Sequence, residues 1–206
     1  MKKSKSSARW ISEHENDEYV QRARREGYRS RATYKLLEID DKYSLLKPGL
    51  TVVDLGAAPG GWTQVAVKQV AESGLVVALD ILSMEPVEGA VCLQADFTGE
   101  AALAALKEVL GGRQVDLVIS DMAPNLSGMK DIDQPRAVYL VELALDFAEQ
   151  HLQQGGAFLA KCFEGEGIDP IRESIRNKFK QLNNVKPKAS RGKSREIYLL
   201  GRGFRG

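Results

Sequence analysis

The sequence contains few cysteines and histidines, and this shortage excludes several kinds of chemistry. Cys92 and Cys162 each lie inside an apolar segment, where a small buried thiol is the ordinary role, so we expect neither a disulfide nor a reactive thiol. His14 and His151 are far apart, and no cysteine pair has the spacing of metal ligands. A metal site is therefore not expected.

Long apolar runs are also missing. None approaches the roughly 18 residues that span a bilayer, and the basic start, MKKSKSSARW, lacks the apolar stretch of a signal peptide. We therefore expect a cytoplasmic protein that does not associate with a membrane.

The length of 206 residues, with 43% hydrophobic and 28% charged residues, suits one well-buried core. This composition is close to that of an average globular protein and excludes extensive disorder, a coiled coil and a collagen-like chain. We expect a monomer with one domain over residues 28–206 and a basic, partly mobile N-terminal arm over residues 1–27.

A net charge of +1 conceals an uneven distribution along the chain. Residues 1–35 carry 10 lysines and arginines against 5 acidic residues, residues 36–171 carry 8 against 21, and residues 172–206 carry 11 against 2. Either basic end alone is typical of ordinary solvated surface. Both ends together favour a polyanionic partner.

Short apolar runs alternate with stretches of helical periodicity. A first helix is predicted from residue 30, because Ala32, Leu36, Ile39 and Tyr43 recur at helical spacing. Residues 50–73 then predict a strand, a glycine-rich loop and a helix. Further buried strands are predicted at 75–80, 90–96, 115–121 and 156–163, and further helices at 100–110, 133–153 and 169–180.

The last two runs, NVKPKAS (184–190) and EIYLLGRGF (196–204), are joined by RGKSR, which is too short for a crossover helix. They are therefore predicted to pair antiparallel. The fold class is α/β, with a doubly wound, mostly parallel sheet of seven strands that ends in an antiparallel hairpin.

The glycine-rich turn after the first strand predicts a nucleotide-like ligand, because ligands of such sheets bind at the carboxyl ends of the strands. Ala58 replaces the second glycine of the dinucleotide fingerprint, so an NAD enzyme is the weaker interpretation. Asp80 and Asp96, predicted at the ends of the second and third strands, are placed to meet such a ligand. Each aspartate alone also suits a helix cap.

Charged residues inside or beside apolar strands form a second group. Lys161 interrupts GAFLAKCF, and burial of its ammonium requires a salt-bridge partner or the loss of its proton. Asp121 is predicted to end the neighbouring strand, and Glu196 starts the antiparallel strand at the same edge. Lys35 lies one position off the apolar stripe of the first helix, so it either reaches inward or faces solvent.

These residues lie in motifs that resemble the RrmJ/FtsJ family of ribose 2′-O-methyltransferases, a resemblance that covers nearly the whole chain. The motifs are DLGAAPGGW (54–62), SDMAPN (120–125), AKCFEG (160–165) and SREIYLL (194–200).

The resemblance implies a class I methyltransferase fold and a Lys-Asp-Lys-Glu tetrad at Lys35, Asp121, Lys161 and Glu196. It also implies S-adenosylmethionine as the cofactor and, as partner, a uridine of ribosomal RNA in the assembled large subunit. The residues that it implies for the cofactor pocket are Gly60, Trp62, Asp80, Asp96 and Asp121.

Because a sulfonium methyl is already electrophilic, the protein has to align the ribose oxygen and remove its proton. Lys161 is the candidate general base, and a nearby cation such as Lys35, together with burial, would favour its neutral amine. Asp121 and Glu196 then orient Lys161 and the substrate. A non-catalytic RNA-binding assembly factor and an NAD dehydrogenase are the alternatives.

Overall fold

The structure is a computed structural model that describes residues 17–125, 127–192 and 194–206. The helices of these residues are α1 (Glu18–Glu26), α2 (Thr33–Tyr43), α3 (Gly61–Val70), α4 (Glu100–Leu110), α5 (Lys130–His151) and α6 (Ile168–Lys178). The strands are β1 (Thr51–Leu55), β2 (Leu75–Asp80), β3 (Ala90–Gln94), β4 (Val115–Ser120), β5 (Leu152–Phe163), β6 (Phe179–Val185) and β7 (Glu196–Phe204).

One sheet of seven strands, in the order β3-β2-β1-β4-β5-β7-β6, organises the chain and confirms the predicted fold class. Strands β1 to β5 are parallel, and β7 pairs antiparallel with both β5 and β6. The strand order reverses between β1 and β4, which makes the carboxyl ends of these two strands the place where a ligand is expected.

Two helical layers cover the sheet, because its central strands are apolar on both faces. Leu36 and Ile39 of α2 pack with α3 on one face. Val141 and Ala144 of α5 pack with α4 and α6 on the other face. Among the described residues, no helix is both long and apolar enough to cross a membrane.

The predicted boundaries of the terminal hairpin are wrong. Its first strand is Phe179–Val185 rather than 184–190, and α6 ends at Lys178. Only Phe179 and Val185 of this edge strand are buried, so its sequence FKQLNNV lacks a clear apolar pattern. Residues 186–190 leave the sheet for two reasons. Pro187 has no N–H to donate to a neighbouring strand. The backbone N–H groups of the next two residues donate to the side chain of Glu38 in α2.

Two strands also end before the predicted aspartates. Strand β3 ends at Gln94, two residues before Asp96, because the Asp96 carboxylate turns the chain by accepting from the backbone N–H of Thr98. Strand β4 ends at Ser120, so Asp121 directly follows it.

The N-terminal arm includes a helix, α1, which packs on the domain through the buried side chains of Val20 and Ala23. Asp17 caps this helix by accepting from the backbone N–H of Tyr19 at 3.0 Å. Residues 1–16 of the predicted arm lie outside the described residues, and the mobility of the arm stays a prediction.

Gly201 of β7 offers a test of the packing between the hairpin and α6. A Cβ there would lie 2.9 Å from Cγ of Phe179 and 3.0 Å from Cγ2 of Ile175. We expect Gly201→Ala to lower the free energy of unfolding by about 1–3 kcal/mol, measured by urea denaturation. In the control Gly192→Ala, the added Cβ meets no described atom within 4 Å. An equal effect of both changes would contradict this packing.

Candidate active site

The first pair of charges at the carboxyl edge of the sheet joins α2 to β7. The Lys35 ammonium lies 2.7 Å from Oε1 and 2.8 Å from Oε2 of Glu196. Both residues are buried, with 6% and 9% of their surface exposed. Burial alone would raise the pKa of the Glu196 carboxyl, but Lys35, the Ser190 hydroxyl and Lys161 together hold that pKa below its usual value. Glu196 is therefore an ionised carboxylate within a buried pair.

The second pair joins β5 to the end of β4. The Lys161 ammonium lies 3.1 Å from Oδ1 of Asp121 and also donates to the backbone carbonyl of Asp121. Cys162 points to the opposite face, where it packs in the apolar layer. The structure thus brings together the four residues of the predicted tetrad, and Lys35 reaches inward rather than toward solvent.

Tyr198 lies between the two pairs and was missed by the sequence analysis. Its hydroxyl donates to Oδ1 of Asp121 at 2.6 Å, and its ring centroid is 5.9 Å from the Lys35 ammonium. Burial and the Asp121 charge raise the pKa of this hydroxyl well above its usual value. Tyr198 therefore stays protonated and acts as a donor. Tyr198 lies opposite Lys161 where β5 pairs with β7. The sequence could have indicated Tyr198 as a site residue through this pairing.

The glycine-rich turn lies at the carboxyl end of β1, beside these pairs. Gly56 and Gly60 have positive φ values of 69° and 103°, which favour glycine. The Asp80 carboxylate, at the end of β2, accepts from the backbone N–H of Ala58 at 2.9 Å and from that of Leu82 at 2.8 Å. Asp80 therefore fixes the turn and presents its carboxylate at the same edge.

Two other predicted pocket residues are placed differently. Trp62 is only 3% exposed, and its indole N–H donates to the carbonyl of Ala32 at 2.8 Å, so its side chain belongs to the core. Its backbone N–H is in the first turn of α3, where helices leave donors for a ligand. Asp96 is exposed to solvent on the loop after β3, and its hydrogen bonds with Thr98 lower its pKa.

Asp54, also missed by the sequence analysis, is buried beneath the turn. Its carboxylate accepts from the Thr63 hydroxyl at 2.7 Å. Burial raises the pKa of Asp54 to about 7, with smaller contributions in the same direction from the charges of Asp121 and Asp80. Three carboxyl groups therefore share this end of the sheet.

This set of groups fits a cationic nucleoside rather than a dinucleotide. Ile81 and Leu82 are 65% and 63% exposed directly after Asp80, which offers apolar surface for a flat base. The carboxylates of Asp54, Asp80 and Asp121 would repel a pyrophosphate and attract a cation. In the described part of the chain, no cluster of three His, Cys, Asp or Glu side chains is arranged to hold a metal ion.

Several arginines predicted to meet a polyanion are instead used within the protein. Arg22 pairs with Glu26 at 2.7 Å, and Arg31 lies 3.1 Å from Asp17. Arg29 donates to the carbonyls of Pro59, Glu85 and Pro86, and so ties the segment before α2 to the glycine-rich turn.

Other cations of the two basic ends remain exposed. Asp17 lies 3.8 Å from Arg191, which places the loop between β6 and β7 beside the start of α1. The described parts of the two basic segments therefore approach each other at this point. We define a basic surface by Arg24, Arg25, Lys188 and Arg191, all of which are exposed.

Comparison with known proteins places this chain in a family. The FtsJ-like methyltransferase model matches residues 28–204. The chain is 59% identical, over 203 residues, to "Ribosomal RNA large subunit methyltransferase E" of Alkalilimnicola ehrlichii, covering 98% of this chain and 97% of that protein. It is 54% identical to the protein of the same name from Hahella chejuensis, covering 100% of both chains.

The fold agrees with that of a solved relative. A crystal structure of a ribosomal RNA methyltransferase from Plasmodium falciparum superposes with a TM-score of 0.79 at 30% identity, covering 87% of this chain and 100% of that one. The resemblance seen in the sequence motifs is confirmed. This chain is a methyltransferase and belongs to the FtsJ-like methyltransferase family.

Proposed function

We propose that this protein transfers a methyl group from S-adenosylmethionine to a ribose 2′-hydroxyl of a uridine in large-subunit ribosomal RNA. The names of its relatives support ribosomal RNA as the substrate class. The uridine and the assembled large subunit come from the resemblance of the motifs. A substrate of this kind would place the protein in the cytoplasm.

The observation that carries the proposal is the convergence of two lysine–carboxylate pairs, one buried and one with a half-buried carboxylate, beside a nucleoside site. Lys35 and Glu196 are separated by most of the chain, yet they meet at 2.8 Å. Burial of an ion costs several kcal/mol unless it is paired. Two such pairs at a ligand-binding edge therefore favour a chemical role over a purely structural one.

The residues of the cofactor site have separate roles in this proposal. Asp80 and the apolar surface of Ile81 and Leu82 hold the nucleoside. The first-turn N–H groups of α3, which include that of Trp62, bind a carboxylate of the ligand. When bound, S-adenosylmethionine supplies an electrophilic methyl group on a sulfonium.

Lys161 is the proposed general base. Its ammonium lies 3.1 Å from Oδ1 of Asp121, which orients it. Once the Lys161 ammonium has released a proton, its Nζ would accept the 2′-hydroxyl proton while the bound S-adenosylmethionine would supply the methyl group to the 2′-oxygen. Tyr198 keeps Asp121 in place through its hydroxyl. The Lys35–Glu196 pair lies on the side of the basic surface and positions the ribose.

We predict that Lys161→Met lowers the rate of methyl transfer by about 10²–10⁴-fold, because the proton acceptor is removed while the apolar stem is kept. The measurement uses labelled S-adenosylmethionine and large ribosomal subunits from a strain that lacks the activity. Alkali-resistant linkages are then mapped, since a methylated 2′-oxygen blocks alkaline hydrolysis.

The matched control is Lys180→Met, at an exposed position on β6. It should keep the full rate. A Lys161→Met protein that methylates normally, or label found on a base, would contradict the proposal. A non-catalytic assembly factor predicts a different result, since Lys161→Met would then keep both ribosome binding and its biological effect.

Asp54 predicts how cofactor binding depends on pH. With its pKa at about 7, Asp54 is neutral below that pH and anionic above it, where it attracts a cationic ligand. We expect the affinity for S-adenosylmethionine to rise roughly three- to tenfold between about pH 6 and pH 8, measured by calorimetry. Asp54→Asn should flatten this dependence, whereas the exposed control Asp41→Asn should keep it. A dependence unchanged in Asp54→Asn would refute this role.

A further inference from the structure

The loop between β6 and β7 is held by the helix that carries Lys35. The Glu38 carboxylate of α2 accepts from the backbone N–H of Lys188 at 2.6 Å and from that of Ala189 at 3.0 Å. Arg31, just before α2, donates to the carbonyl of Ala189 at 2.7 Å. Ala189 is completely buried between these contacts. The backbone of Ala189 is therefore held at both groups. Glu38 of α2 binds its N–H, and Arg31, just before α2, binds its carbonyl.

Ser190 follows this anchored residue and faces the tetrad. Its hydroxyl donates to Oε1 of Glu196 at 2.7 Å, and the residue is only 5% exposed. Both Glu196 oxygens also lie within 2.8 Å of the Lys35 ammonium. Hydrogen bonds to ionised groups in buried sites are short, strong and directional.

We propose that Ser190 is a positioning residue that fixes the Glu196 carboxylate against Lys35, and that Glu38 sets Ser190 through the loop backbone. This inference rests on the proposed function and adds two residues outside the tetrad. Glu38 lies one helical turn after Lys35, so both side chains leave the same region of α2. A movement of α2 therefore shifts the ammonium and the loop together, which keeps Lys35 and Glu196 in register.

A purely structural role for the loop contacts has different consequences. Anchoring alone would affect unfolding and leave the titration of Glu196 unchanged. Positioning instead acts on the carboxylate itself, because the Ser190 hydrogen bond is one of the interactions that lower its pKa. The other titratable groups that act on Glu196 are Lys35 from α2 and Lys161 from β5. The charge of Glu196 in turn acts on Tyr198 and Cys162, from the strands around it, and raises the pKa of each.

The test compares Ser190→Ala with Ser190→Thr, which keeps a hydroxyl, and with the exposed control Ser73→Ala. In single turnovers with saturating cofactor and ribosomal subunits, we expect Ser190→Ala to lower the rate roughly tenfold, about the value of one hydrogen bond to a charge. The limb of its pH–rate profile that reflects ionisation of Glu196 should move to higher pH, because Glu196 then protonates more easily. Ser190→Thr should restore both the rate and the profile.

Glu38→Gln tests whether Glu38 sets Ser190 through the loop backbone. The glutamine side chain keeps one acceptor oxygen and loses the other. It should change rate and profile in the same direction as Ser190→Ala but by less, while the exposed control Glu72→Gln changes neither. A wild-type profile in Ser190→Ala, or a loss of rate explained entirely by a lower melting temperature, would overturn the proposal.

A readout independent of methylation separates this inference from the proposed function. Carbon-13 NMR of the side-chain carboxyl of Glu196 follows its titration in the protein alone. If the wild-type protein methylates no ribosomal RNA while Ser190→Ala still raises the Glu196 midpoint, the proposed function fails and the positioning role stands. If the midpoint does not move, the positioning role fails whatever the activity.

Discussion

The buried charges at the carboxyl edge of the sheet can exist there only as pairs. Each ion would cost several kcal/mol to bury alone, so Lys35 needs Glu196 and Lys161 needs Asp121. This requirement links α2, β4, β5 and β7, which are far apart in the sequence. Apolar residues of similar volume would stabilise such a junction at least as well. The stability of the fold alone therefore does not explain the pairs, which supports the chemical role proposed for this edge.

The topology of the sheet explains why this edge was available. Reversal of strand order between β1 and β4 opens a crevice beside the glycine-rich turn. Because β7 inserts antiparallel between β5 and β6, its first residue, Glu196, lies at the carboxyl ends of the parallel strands. An added parallel strand would have brought its last residue there instead. The terminal hairpin thus contributes the carboxylate that pairs with Lys35 as well as an edge to the sheet.

The sequence could predict the features that depend on apolar pattern and strand order. It predicted the parallel strands, the hairpin pairing and the edge where Lys161 and Asp121 meet. It could not locate β6, because that edge strand buries only its two end residues. It also missed Tyr198 and Asp54, whose side chains look like ordinary core and strand residues until their neighbours are known. It could not show that Arg29, within the basic N-terminal segment, donates to backbone carbonyls, because local charge does not reveal long-range backbone contacts.

The acidic and basic segments of the chain lie on different sides of the site. The acidic middle segment supplies Asp54, Asp80 and Asp121 on the side of β1, β2 and β4, which suits a cationic ligand. The described parts of the two basic segments approach each other elsewhere, because Asp17, the cap of α1, lies 3.8 Å from Arg191 of the β6–β7 loop. The tetrad lies between the two sides. On the proposed function, a cationic cofactor and a polyanionic RNA would approach from these two sides, so the group transfer between them would take place where β4, β5 and β7 end.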